Sequence, residues 1–172
     1  MKILLTSLVT VSLVSAGFAA VESTHLAGRE NKTPGPPGYA AVTDEDRAIE
    51  QAVVRARKSL GFFVAALKAK KPGDTGFEIK KGYVDGDKVE HLWVGELTFD
   101  GKNFQGIINN RPHDLHNVKL GQKVTVAPRE VGDWMFVKDG KLIGGYTTRV
   151  LYSRLSPAEK AEFNKEADFK IE

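Results

Sequence analysis

Two histidines three residues apart, His113 and His116 with Asp114 between them, are the densest group of potential ligands in this sequence. Zinc takes three or four N or O ligands, and His91 is the nearest candidate for a third. The group follows Pro112 in a loop and no further ligand sits at a diagnostic spacing, so solvated loop histidines are the simpler reading and no metal is expected. His91 could serve as a base, flanked by Val89 and Trp93 on one face of a strand. No nucleophile-elbow pattern accompanies it, and a satisfied cleft residue explains it as well. Glu90 and Glu96 are expected on the opposite face. Six residues of strand separate them by about 20 Å, too far for hydrolysis by paired carboxylates.

The stronger candidates bind rather than react. Asp133 precedes Trp134, and Gly144-Gly145 precede Tyr146-Thr147-Thr148-Arg149. Asp133 could sit at a cleft rim, paired with Arg149 or Arg111. The two glycines could shape a concavity of backbone N–H groups that holds an anion together with Arg149. The plainer alternatives are Trp134 and Phe136 in the core, Asp133 accepting from loop amides, and a tight turn needing positive φ at the glycines. If there is a site, it is expected in a cleft bordered by Trp93, Asn110, Asp133, Tyr146 and Arg149. There Trp and Tyr would offer flat apolar contact, Asn and Asp orientation, and Arg a fixed charge.

The elements that must position these groups are legible from periodicity. Residues 118–151 read as a strand over 123–127, a second strand carrying Asp133 to Phe136, an Asp139-Gly140 turn and a glycine hinge. Upstream, apolar residues from Ile49 to Leu67 recur at three- and four-residue steps, predicting one amphipathic helix from Thr43 to Lys70. Gly61 within it could admit close packing of another element. Phe77–Val84 and Val89–Phe99 alternate as strands joined through Asp85-Gly86, and Asn103–Ile108 follows after Asp100-Gly101. Ser156-Pro157-Ala158-Glu159 is an N-cap, a first-turn proline and a capping-box glutamate, opening a C-terminal helix. The order implies an α+β domain with a mainly antiparallel sheet of about five strands, an N-terminal amphipathic helix and a C-terminal helix.

Lys2, the apolar run Ile3–Val14 and the small residues around Gly17 predict a signal peptide over 1–19, too short for a membrane span. Residues 20–42 are rich in polar residues, Pro and Gly and read as a flexible linker, leaving 43–172 as a single domain. The 172 residues contain no cysteine, so an exported domain must be held by packing alone. The formal charge of +3 is too small to imply nucleic acid. The basic run Arg55 to Lys71 reads as a solvated face suited to a helix C-terminus.

Five blocks stand out together: Glu90-His91-Leu92-Trp93, Asn110-Arg111-Pro112, Leu120-Gly121 ahead of Val124-Thr125-Val126, Asp133-Trp134-Met135, and Gly144 through Arg149. Taken together they resemble a bacterial family, the YegJ-like "domain of unknown function 2314" group. The resemblance spans roughly Asp44 to Leu155. It implies a fold and a grouping and brings no catalytic residues with it. The expectation is therefore a periplasmic or secreted binding module without cofactor that recognises a protein or envelope component, its oligomeric state left open. The alternative is a hydrolase, with or without metal, using His91 or the His113/His116 pair.

Overall fold

The fold is a computed structural model that describes residues 44–172. The expected signal segment, the linker and Thr43 lie outside the described residues. Helices α1 (Asp44–Lys58) and α2 (Leu60–Ala69) lead into strands β1 (Asp74–Asp85), β2 (Lys88–Phe99), β3 (Phe104–Ile108) and β4 (Lys123–Val126). A short 3-10 turn precedes β5 (Val131–Lys138) and β6 (Lys141–Gly144), and helices α3 (Tyr146–Arg154) and α4 (Pro157–Glu166) follow. The sheet is antiparallel throughout, in the order β4-β3-β2-β1-β5-β6. The α+β class holds, with β6 as a sixth strand. Among the described residues no helix is long and apolar enough to cross a membrane.

The expected single helix is two. Ser59 Oγ lies 2.8 Å from the Arg55 carbonyl it can donate to and 2.9 Å from the Tyr146 hydroxyl. A serine bonded back to the preceding turn bends a helix, and α2 restarts one residue later. Gly61 faces open space, so it admits no close neighbour. The bend lets both segments lay apolar residues on one face of the sheet. Ala56 from α1 and Phe63 and Leu67 from α2 join Ile79, Val94, Leu97, Trp134 and Phe136 in the main core. Trp134 buries its ring there without losing its donor, because Nε1–H reaches the Ala56 carbonyl at 2.8 Å. Burial of each such side chain contributes about 1.5–3 kcal/mol. A smaller core of Leu92, Ile108 and Leu115 lies beneath the loop between β3 and β4.

β2 does not keep one period along its length. Glu96 adopts φ +50 within an irregularity between Gly95 and Thr98. An extra residue in a strand swaps the faces beyond it. Leu97 and Phe99, expected beside Trp93, therefore pack on the main core instead. The Asp139-Gly140 turn forms as expected, with φ of +50 and +77 closing the tight β5–β6 hairpin. The Ser156–Glu159 capping box is also present.

Candidate functional site

Because side chains alternate across a strand, the sheet has a second face, turned away from α1 and α2. Its central row is fixed by register. Lys80 on β1 pairs with Trp93 on β2 and with Asp133 on β5. One step along, Ile79 pairs with Val94, which sets Glu78 opposite Gly95. Glu78, Lys80 and Trp93 are only 9%, 6% and 5% exposed, an unusual fate for two charged side chains. Lys80 Nζ lies 4.9 Å from the centre of the Trp93 ring, within cation–π range. Asn109, just beyond β3, donates from its amide to Glu78 Oε1. Asn109 packs directly over Gly95, where a Cβ would meet its amide at an ordinary contact distance of 3.5 Å. Burial pushes the Glu78 carboxyl up to about 7, with the Asn109 hydrogen bond pulling the other way. Next to this cluster the same face opens into a groove of about 330 Å³ across β2, β3 and β4, lined by Glu96, Thr98, Gln105, Ile107, Lys123 and Thr125.

The five residues expected to border a cleft fall into distinct places. Trp93 and Asn110 are directly joined, the Trp93 N–H donating to Asn110 Oδ1 at 2.7 Å. Asp133 shares their row through Lys80, but its carboxylate is turned toward the start of α3. There Oδ1 accepts from the Trp134 and Tyr146 N–H groups, and Oδ2 from the Thr147 N–H and hydroxyl, at 2.6–3.1 Å. The anion held beside the two glycines is thus the chain's own Asp133. Tyr146 belongs to the core side, its ring edge-on to Trp134 at 5.6 Å. Arg149 sits at the outer edge of β6, donating to the carbonyls of Leu142 and Gly144.

The histidines are also placed. The main-chain N–H groups of His113, Asp114 and Leu115 all donate to the Glu90 carboxylate, and that of His116 to Asp85. His91 lies on the second face with its ring over Gly82. Among the described residues no three His, Cys, Asp or Glu side chains gather as a metal site.

The family described as an uncharacterized protein conserved in bacteria, DUF2314, matches residues 46–171. The chain belongs to that family. It is 31% identical over 147 residues to the uncharacterized protein YegJ of Escherichia coli K12, covering 86% of each chain. Over 78 residues it is 37% identical to a Neisseria meningitidis serogroup B protein whose name calls it an ankyrin repeat protein. That match takes in 45% of this chain and 31% of the other. No solved structure matches.

In this DUF2314 domain, Glu78, Lys80 and Asn109 are the members of the cluster that sequence reasoning missed. The available signal was Phe77-Glu78-Ile79-Lys80, where charges alternate with apolar residues in a strand read as neighbour to a central one. Alternation of that kind ordinarily means a solvated face. Only the pairing of β1 between β2 and β5 makes those charges buried ones.

Proposed function

We propose that this DUF2314 protein is an exported, non-catalytic binding module that recognises another protein or envelope component with the face turned away from α1 and α2. The observation that carries the reading is the buried pairing of Glu78 with Asn109 and of Lys80 with Trp93, beside an open polar groove. Burying a lysine and a carboxyl is costly to the fold, and a carboxyl perturbed by burial beside a concavity supports the reading of a ligand site. Trp93 and Asn110 remain in the site, whereas the Asp133 carboxylate is committed to the start of α3. The groove offers amide, hydroxyl and charged groups of both signs, which suits hydrogen bonding to a polar surface. The residues 1–19 support export by their charge and apolar pattern.

The test is site-specific photocrosslinking in living bacteria. A crosslinker at exposed Gln105, in the groove, is expected to capture a discrete partner that one at exposed Val54, on α1, does not, and Lys80→Met is expected to reduce the capture. Equal capture from both positions, or none from Gln105, would remove the assignment. Turnover of an ester or phosphoester abolished by His91→Ala would replace it with the hydrolase reading.

A further inference from the structure

At the other end of the sheet, the outer edge of β6 is already occupied by the segment after α4, which no turn connects to it. The Leu142 N–H donates to the Lys170 carbonyl and the Lys170 N–H to the Gly140 carbonyl, both at 2.9 Å, forming a parallel bridge between Lys141 and Lys170. Arg149 closes over the junction. Nη2 donates to the Leu142 carbonyl on β6 at 2.6 Å, and Nη1 to the main-chain oxygen of Glu172 at 2.7 Å. One guanidinium thereby grips the edge and the segment laid upon it. Lys141 Nζ adds an ion pair to the Glu172 carboxylate at 2.8 Å.

The grip is made of backbone and charge rather than of apolar burial. α4, which delivers the segment, buries none of its residues. It leans on the body through Phe163, stacked edge-on against Tyr152, and Phe169 meets Phe163 in turn. The Lys141–Glu172 pair is more than half exposed, so it holds weakly in water. A segment retained by a few exchangeable contacts on a sheet edge can give way to a competitor that makes the same contacts.

We propose that the outer edge of β6 is a docking site for an extended segment of another polypeptide, one with a carboxylate two residues beyond the residue that bridges Lys141, and that residues 168–172 hold it closed. The Gly140 carbonyl and the Leu142 N–H supply the main-chain attachment, Arg149 binds the backbone beyond it, and Lys141 selects the carboxylate. This edge lies at the opposite end of the strand order from the β2–β3–β4 groove, so either surface can fail without the other.

The experiment uses the full chain with Lys170→Pro, which removes the N–H donated to Gly140 and detaches the segment. Amide exchange at Leu142 is expected to quicken at least tenfold in this variant while the amides of β1 and β5 keep their protection. A synthetic peptide of residues 167–172 added in trans should restore protection at Leu142 saturably. Lys141→Ala in the same background should raise the peptide concentration needed at least threefold, and the wild-type chain, its edge filled, should not respond at those concentrations. No restoration by the peptide, or unchanged exchange in Lys170→Pro, overturns the proposal. So does a wild-type chain that sediments as a dimer, since the segment would then be exchanged between copies.

Discussion

Glu78 is the residue whose chemistry differs most from its ordinary behaviour. Its carboxyl titrates near 7 in the fold because burial disfavours the charge. In the unfolded chain it ionises near the usual carboxylate value. A group raised in this way holds its proton in the folded state over pH values where the unfolded state has released it, so stability falls as pH rises from about 4.5 to about 7. The span corresponds to about 3 kcal/mol. Glu78→Gln, which keeps the shape and cannot ionise, should flatten that part of the pH profile, read as urea midpoints at pH 5 and pH 8. A wild-type midpoint that does not fall between those values would show that Glu78 is not held neutral. Asp133 tests a different residue property, the number of donors one carboxylate collects. Asparagine presents a single oxygen and turns an NH₂ toward N–H donors, so Asp133→Asn should cost about 2–3 kcal/mol. Near-native stability of that variant in the same titration would dismiss the four-donor arrangement.

At the scale of elements, the loop between β3 and β4 is held by a carboxylate rather than by structure of its own. Burial pushes the Glu90 carboxyl up, but the N–H groups of His113, Asp114 and Leu115 outweigh it and its pKa is lowered. A depressed carboxylate stabilises above its unfolded pKa and loses that contribution as pH falls through the folded one. Glu90→Gln should therefore speed amide exchange at residues 113–115, with a cost of about 1 kcal/mol. Unchanged exchange there would mean that Leu115 packing alone fixes the loop. The same kind of remote partner explains what the sequence hid. The Ser156 cap and the Asp139-Gly140 turn were legible because their hydrogen bonds and dihedrals are local. α3 was not, because its cap comes from Asp133, thirteen residues upstream of Tyr146. Nor was β6: only Gly144 at its end is marked, as part of the Gly144-Gly145 hinge, and Lys141-Leu142-Ile143-Gly144 becomes a strand only through its pairing with β5. The break between α1 and α2 was not legible either, since the Tyr146 hydroxyl beside Ser59 lies 87 residues away in the chain.

For the whole molecule, the two faces of one sheet differ in what they meet: α1 and α2 pack on one, and the proposed recognition surface lies on the other. The face beneath α1 and α2 was largely readable, since Phe63, Trp134 and Phe136 lie in apolar patterns whose period matches their element. The opposite face was readable only in part, Trp93 and Asn110 being marked by residue type and Glu78 and Lys80 by nothing short of register. This division predicts that stability and recognition separate under mutation. Phe63 is fully buried and meets Phe77, Phe104 and Trp134 at ring separations of 5.2–6.1 Å. Phe63→Ala opens a cavity that helices and sheet share, and should lower stability by about 3–5 kcal/mol. Thr125→Ala, at an exposed position in the groove paired with Gln105, should shift the urea midpoint by no more than the equivalent of about 0.5 kcal/mol while weakening partner capture by the crosslinker at Gln105. Paired measurements of urea midpoint and crosslinking yield on both variants decide the matter. A groove variant that unfolds as readily as Phe63→Ala would make the second face part of the fold's foundation, and its buried charges structural rather than kept for a ligand.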